Sequence, residues 1–479
     1  MACDTSNRFK FLRLFLTALA SFFAFTGAVA AQWNEQVLYS FQYGTDGAEP
    51  VGSIVFDKQG NLYGATSVGG SPSCPGVGGC GTVFELSPPA KNGNPWVETQ
   101  LHVFQGLAKG DGAGPVGGLV MDSAGNLYGT TAYDGAGQCT LIGSVVGCGT
   151  VYEMSPPLQP GGAWTETVLY SFQGGDDGSF PWGDLVFDKA GNLYGSTRFG
   201  GGKGTNCNTL YGGNCGTIFE LSPPKTKGGA WAEKVLHSFA SAGLWSIFGD
   251  GAQPNGGLIL DEEGNLYGTT YFGGYAGGHC NGGVGGTGCG TVFELIRPSP
   301  PDNDWAEHIL YRFNAGNIGI KDGVNPSAGV VFDETGNLYG TTYDGGADGV
   351  GTVIELMRPA ASGIPWAETI LYSFTYTNGA DPSSPVLIDP RDGSLYITAT
   401  GAGASRGGTL SRLRAGSVSR NGQTTWSDTV LYNFTGGSSG AGYPYSKLVL
   451  HSGALYSNSL YGGPGPCQGG CGTVFKVWP

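Results

Sequence analysis

The sequence predicts an all-β fold, a seven-bladed β-propeller with four antiparallel strands per blade, and three observations predict it. The first is composition. Of 479 residues, 90 are Gly and 27 are Pro, and Gly at that density opposes helix by roughly 1 kcal/mol per position relative to Ala. Yet 12% of the chain is aromatic and only 13% is charged, the reverse of a disordered composition, and no Gly recurs at every third position as collagen requires. The second is a phrase repeated along the chain: W-x-E-x-x-L-Y-S-F, D-G-x-x-P-x-G-G-L-V-F-D, G-N-L-Y-G-T-T, G-T-V-F-E-L-S-P-P. The third is that each copy holds four strand-like runs bounded by Gly and Pro, the pattern of a propeller blade.

In chain order, residues 1–30 read as a secretory leader. Arg8, Lys10 and Arg13 precede an uncharged apolar stretch from Leu14 to Val29, and Ala28-Val29-Ala30 is a small-x-small cleavage site. An N-terminal membrane anchor is the competing reading, but the stretch is short for a span of roughly 20 residues. Residues 31–479 then form one domain. Its opening Trp falls at Trp33, Trp96, Trp164, Trp231, Trp305, Trp366 and Trp426, at intervals of 63, 68, 67, 74, 61 and 60 residues.

In the third repeat the four runs are Glu166–Phe172, Asp184–Asp188, Asn192–Thr197 and Thr217–Leu221. Between the second and third of these lies D-x-x-G-N, recurring from Asp57, Asp122, Asp188, Asp261 and Asp333. Its Gly suits the positive φ of a tight hairpin turn, so these strands are antiparallel neighbours. Gly pairs such as Gly117-Gly118 and Gly256-Gly257 precede the L-V-F-D run and suit a crowded centre. That run is therefore innermost, strand a. G-N-L-Y-G is strand b, G-T-V-F-E-L strand c and W-x-E-x-x-L-Y-S-F the outer strand d. The chain begins with a d strand and ends after a c strand, so Trp33–Phe41 is expected to complete the last blade and remove two raw edges.

These phrases resemble the GloVer tandem-repeat family of bacterial secreted or surface proteins, described as choice-of-anchor for their varied C-terminal sorting signals. The resemblance covers residues 33–479. It implies export and no particular chemistry. The sequence departs from the family's pattern in stopping at Pro479 without a sorting tail, which puts covalent surface anchoring in doubt.

Net charge is −14 with a pI near 4.7, which argues against nucleic-acid partners. No apolar run after the leader approaches spanning length, so a soluble monomer is expected. Eleven Cys include Cys3 in the leader. The other ten read as disulfides in an oxidising compartment: Cys74 with Cys80, Cys139 with Cys148, Cys207 with Cys215, Cys280 with Cys289, and Cys467 with Cys471. Each pair falls in one b–c connection, and repeats five and six lack both members together.

The catalytic inventory is thin. No HExxH, GxSxG or phosphate-loop pattern occurs. His102 and His237 replace the Tyr of L-Y-S-F and read as structural. Most carboxylates recur with the repeat and also read as structural. Asp184 and Asp348 break the symmetry, but nothing pairs them as a glycosidase requires.

The d–a loops carry D-G-x-x-P at Asp46, Asp111, Asp177, Asp250 and Asp322, and Asp381 with Pro385 keeps the spacing. These Asp are either turn formers or a ring of oxygen ligands for a hard cation such as calcium. The b–c loops open with aromatics, Tyr133-Asp134, Phe199, Tyr271-Phe272, Tyr343-Asp344 and Tyr461. They either pack between blades or form a sugar-stacking platform. A d–a insertion with Trp245 and Phe248 is either a lid on the channel or an exposed interaction patch. The expected function is a secreted, non-enzymatic binding or scaffold module for carbohydrate or protein ligands, with a polysaccharide-acting enzyme and a structural envelope protein as alternatives.

Overall fold

Runs such as L-Y-G-T-T and T-V-F-E-L become strands because β-branched and aromatic side chains pack well on a pleated surface. In the computed structural model they build seven four-stranded antiparallel sheets. The structure describes residues 33–479 except 75–77, 92, 142–143, 160, 203–214, 227, 241–248, 275–287, 315–321, 362 and 419–423. The leader, Trp245 and Phe248 lie outside the described residues. No helix among those described is long and apolar enough to cross a membrane.

Blade 3 shows the unit. Its inner strand comes in two pieces, Ser179–Pro181 and Val186–Phe187, followed by Leu193–Phe199, Thr217–Ser222 and Ala232–Ser238, hydrogen-bonded in that order. The order a-b-c-d read from the sequence is the one observed. Blade 7 takes strands from both ends of the chain. Its a, b and c strands precede Pro479, and its outer strand is Asn34–Ser40, which runs antiparallel to Thr473–Trp478. Asn34 lies opposite Trp478, Val37 opposite Phe475 and Ser40 opposite Thr473.

The D-x-x-G-N turn behaves as its residues require. Asp57 Oδ1 accepts from the Asn61 amide at 2.8 Å, its Oδ2 accepts from Asn61 Nδ2 at 2.8 Å, and Gly60 has φ +87°. The same bonds form around Asp122, Asp188, Asp261 and Asp333.

The apolar core lies between blades. Seven buried clusters are found among the described residues, each joining two successive blades. One of them unites Leu38, Phe41 and Val474 of blade 7 with Ile54 and Phe84 of blade 1. Strand-d Trp side chains tilt against the b-strand Tyr of the preceding blade, Trp164 on Tyr63 and Trp305 on Tyr194 with centroids 5.8 and 6.1 Å apart. Packing of this kind on both faces explains why the L-V-F-D strands do not alternate cleanly.

A second joint recurs seven times. The Gly before each c strand meets the d–a Pro of the next blade: Gly81 with Pro115, Gly149 with Pro181, Gly216 with Pro254, Gly290 with Pro326, Gly351 with Pro382, Gly408 with Pro444, and Gly472 with Pro50. A Cβ on any of these Gly would stand 2.4–2.7 Å from the Pro Cδ. The residue before each Pro has φ between +53° and +62° in all seven. This corrects the reading of repeat six. Pro382, not Pro385, makes the joint, so Asn378 takes the place of the other repeats' turn Asp. Asp381 holds the positive-φ position instead.

Candidate functional site at the channel mouth

All seven inner strands converge on one axis, and backbone meets backbone there. A Cβ on Gly52 would sit 2.6 Å from the Gly117 carbonyl, and one on Gly183 2.6 Å from the Gly256 oxygen. The channel between Ser53, Asp184, Gly257, Ala328 and Ser446 encloses about 70 Å³, room for a few waters only. Asp184 is tied across it, accepting from the Gly118 amide at 2.6 Å and from the Ser53 hydroxyl. A ligand larger than a few waters cannot enter this channel; at the axis it would lie across the mouth.

The mouth is not symmetric. The residue after each joint Pro is Val51, Val116, Trp182, Asn255, Ser327, Ser383 and Tyr445 in turn, and the sixth residue counted from the Leu of each L-Y run is Ser67, Ala132, Arg198, Tyr271, Tyr343, Thr400 and Leu460. Blades 1 and 2 present small groups. Blades 3, 4, 5 and 7 present aromatic rings and a guanidinium.

The Arg198 guanidinium lies 5.0 Å from the Trp182 ring centroid and 5.6 Å from that of Phe199, and its Nε donates to Gln253 Oε1 at 3.4 Å. Asn325 Nδ2 donates to the Tyr271 carbonyl at 2.8 Å. Burial pushes the Tyr271 phenol up to about 12, with Asp344 and Tyr343 adding to the rise and Arg198 opposing it. Asp344 is held above the usual carboxylate range by burial and then by the charge of Asp381, and burial raises Asp381 as well. Burial also raises Tyr445, against the pull of Arg198. Rings, guanidinium and two carboxylates thus share one electrostatic neighbourhood.

Of the residues expected from sequence, Tyr271, Tyr343 and Asp344 belong to this mouth. Tyr133 stands edge-on to Phe180, which in turn meets Phe199, both at 5.7 Å. Asp134 is buried and accepts from the Leu107 amide at 3.2 Å. Those groups fasten neighbouring loops. Trp182, Arg198 and Tyr445 went unnoticed in sequence, although comparing the seven repeats at one position would have exposed them.

The turn aspartates are distributed one per blade interface. Asp46, Asp177 and Asp322 accept from the phenols of Tyr39, Tyr170 and Tyr311 at 3.0, 2.9 and 3.1 Å. Asp111 takes His102 Nε2 at 3.2 Å. Each also accepts a backbone amide four to eight residues away, Gln42, Gln173, Asn314 and Gln105 respectively. Asp250 accepts from the Ala240 amide at 3.0 Å.

The Glu of W-x-E in the following outer strand closes each group. Burial, followed by the adjacent Asp, pushes Glu98, Glu233 and Glu368 up to about 7. Glu166 reaches about 7 by burial and Asp111, with His102 opposing. The interfaces therefore carry proton-holding acid pairs. Among the described residues, only His237, Asp250 and Glu307 bring three metal-ligating side chains close enough to share one ion.

Disulfides join Cys74 to Cys80, Cys139 to Cys148, and Cys467 to Cys471. Cys215 and Cys289 are also disulfide-bonded, and their expected partners Cys207 and Cys280 lie outside the described residues.

Ring and mouth together define a seven-bladed β-propeller with one asymmetric face. The repeat unit places it further: the chain belongs to the Gloeobacter/Verrucomicrobia repeat family, whose model matches residues 23–206 and 276–479. No curated protein sequence matches the chain. Among solved structures it is similar to a carbohydrate-active enzyme from Trichoderma reesei, at 13% identity over 94% of this chain and 96% of that one, TM-score 0.38. It is also similar to the PQQ domain of a pyranose dehydrogenase from Coprinopsis cinerea, at 12% identity over 94% and 96%, TM-score 0.42. An ulvan lyase matches at 10% identity over 92% and 95%, TM-score 0.49.

Proposed function

We propose that this protein is an exported, non-catalytic propeller that binds a carbohydrate across its channel mouth. One observation carries the reading: departures from the repeat gather at the axis, where Trp182, Arg198, Tyr271, Tyr343 and Tyr445 replace the small residues of blades 1 and 2. Sugar rings present apolar C–H faces that pack on aromatic rings, while a few polar groups fix orientation. Gln253, Asn325, Asp344, Asp381 and Arg198 supply those groups. Export is supported by the leader-like composition of residues 1–30 and by disulfides, which persist in oxidising compartments.

A glycan array on residues 31–479 followed by titration calorimetry tests this. Trp182→Ala and Tyr343→Ala are each expected to weaken the array hit at least tenfold with the fold unchanged. Unaltered affinity in both would overturn the assignment.

The coupled carboxylates Asp344 and Asp381 favour one second reading, a polysaccharide-acting enzyme. New reducing ends or unsaturated products from the bound glycan, abolished by Asp344→Asn, would establish it.

A further inference from the structure

The interface between blades 3 and 4 differs from its counterparts. His237 stands where Tyr39, Tyr170 and Tyr311 place a phenol on their Asp. His102 also replaces that Tyr, but its Nε2 is hydrogen-bonded to Asp111 at 3.2 Å. His237 Nε2 instead lies 3.4 Å from Asp250 Oδ2 and 3.7 Å from Glu307 Oε2, bonded to neither. That nitrogen is buried and makes no hydrogen bond. Glu307 Oε1 makes none either, as holds for the matching oxygen of Glu98, Glu166, Glu233 and Glu368, so the imidazole is what sets this interface apart. The Glu307 side chain is only 11% exposed. Leaving a buried imidazole nitrogen without a hydrogen bond is costly, and a ligand shared with the two carboxylates would resolve it.

The surroundings hold the three groups in place. The His237 ring packs edge-on against Phe239 at 4.7 Å, the Ala240 amide orients Asp250, and Glu307 sits in the strand Ala306–Arg312. The Arg312 Nε is directed to the Gly249 carbonyl at 3.4 Å. One donor atom from each of His237, Asp250 and Glu307 falls within 4.8 Å of the others, the span of ligands around a single ion.

We propose that His237, Asp250 and Glu307 form a binding site for a borderline divalent cation of the zinc class. One imidazole nitrogen and two carboxylate oxygens suit Zn²⁺, with water completing a tetrahedron. Calcium and magnesium favour oxygen-only sets. The ion would tie the outer strands of blades 3 and 4 together. Asp250 is also one of the turn aspartates considered for a calcium ring, but here it joins an imidazole and a glutamate within one blade interface, a different donor set from carboxylates spread around the mouth.

The test uses EDTA-stripped, oxidised protein (residues 31–479), ZnCl₂ calorimetry and thermal melts. Wild type is expected to bind one equivalent of zinc tightly. Its melting temperature should rise by about 3 °C at a hundredfold excess over Kd, reversibly with EDTA. His237→Tyr installs the phenol of the other interfaces, so it should fold normally and lose both signals. Glu307→Gln should weaken zinc at least tenfold, and His102→Tyr should leave it unchanged. Absence of stoichiometric zinc binding in wild type, its retention in His237→Tyr, its loss in His102→Tyr, or a melt that responds to calcium and not zinc would each overturn the proposal.

Discussion

Raising the pH from 5 to 8 should destabilise this ring, and the acid pairs set the size of the effect. Glu98, Glu166, Glu233 and Glu368 hold their protons up to about 7 in the folded chain, against an ordinary value near 4.3 in the unfolded one. Between those values the folded state binds more protons, so stability is complete below the unfolded pKa and is lost as pH climbs through the folded one. Each site would forfeit about 3 kcal/mol if fully shielded from water. These pockets are partly open, and screening reduces that to about 1 kcal/mol each. Four sites then give about 4 kcal/mol. With an unfolding entropy of roughly 0.9 kcal/mol/K for some 450 residues, the melting temperature should fall by about 4 °C. Scanning calorimetry at fixed ionic strength with EDTA measures it. Replacing all four Glu by Gln should make the profile above pH 5 shallower, leaving the slope contributed by Glu307, which burial and then Asp250 push up to about 9. A wild-type melting temperature that is constant or rises over this range would refute the reasoning.

Three further outcomes follow from packing. Gly216→Ala places a Cβ 2.4 Å from the Thr197 carbonyl and 2.7 Å from Pro254, so it should destabilise by about 3 kcal/mol or more. Gly191→Ala, at a similar positive φ with nothing within 4 Å, should cost only about 1 kcal/mol, and equal denaturation midpoints would deny the joint its role. Deleting residues 33–42 should expose the edge of Thr473–Trp478 and produce aggregates by light scattering; a monodisperse product with the wild-type melt would contradict this. Cys74→Ser with Cys80→Ser should cost about 2 kcal/mol, checked by urea titration.

The repeat made the blade legible because its fixed residues do fixed work. Asp57 and Asn61 build the turn, Gly81 and Pro115 touch across an interface, and Trp164 seals Tyr63, so these identities recur. The same logic hid the candidate site. Trp182, Arg198 and Tyr445 occupy positions where the blade has no requirement, and only closure of the ring brings them together from distant repeats. Tyr133 and Tyr271 look alike in sequence. Tyr133 packs on Phe180 and Tyr271 lies at the mouth because Tyr133 stands one residue further along strand b, in register with Phe199 and Phe272, and successive strand residues point to opposite faces. Asp381 misled through spacing alone, since the D-x-x-x-P interval to Pro385 imitates a turn that Asn378 makes. The cluster at His237 was equally hidden. Its Asp and Glu are repeat residues, and what sets it apart is how a His substituted for Tyr sits between them.

Because Asn34 lies beside Trp478, the two ends of the ring meet on its outer rim within one strand pair, and the chain can be circularly permuted. Joined there and reopened between strands c and d of another blade, it would carry the same hydrogen-bonded clasp to a new position. Reopened in a d–a connection, every blade would be contiguous, and closure would rest on side-chain packing, the Gly–Pro joint and the few backbone bonds that cross each interface, such as Gln253 N–H to the Cys215 carbonyl at 2.8 Å. The second permutant should breathe open more readily in hydrogen exchange than the first. The strand that bridges the ends thus adds a full ladder of backbone bonds to a seam that would otherwise have side chains and a few isolated backbone bonds.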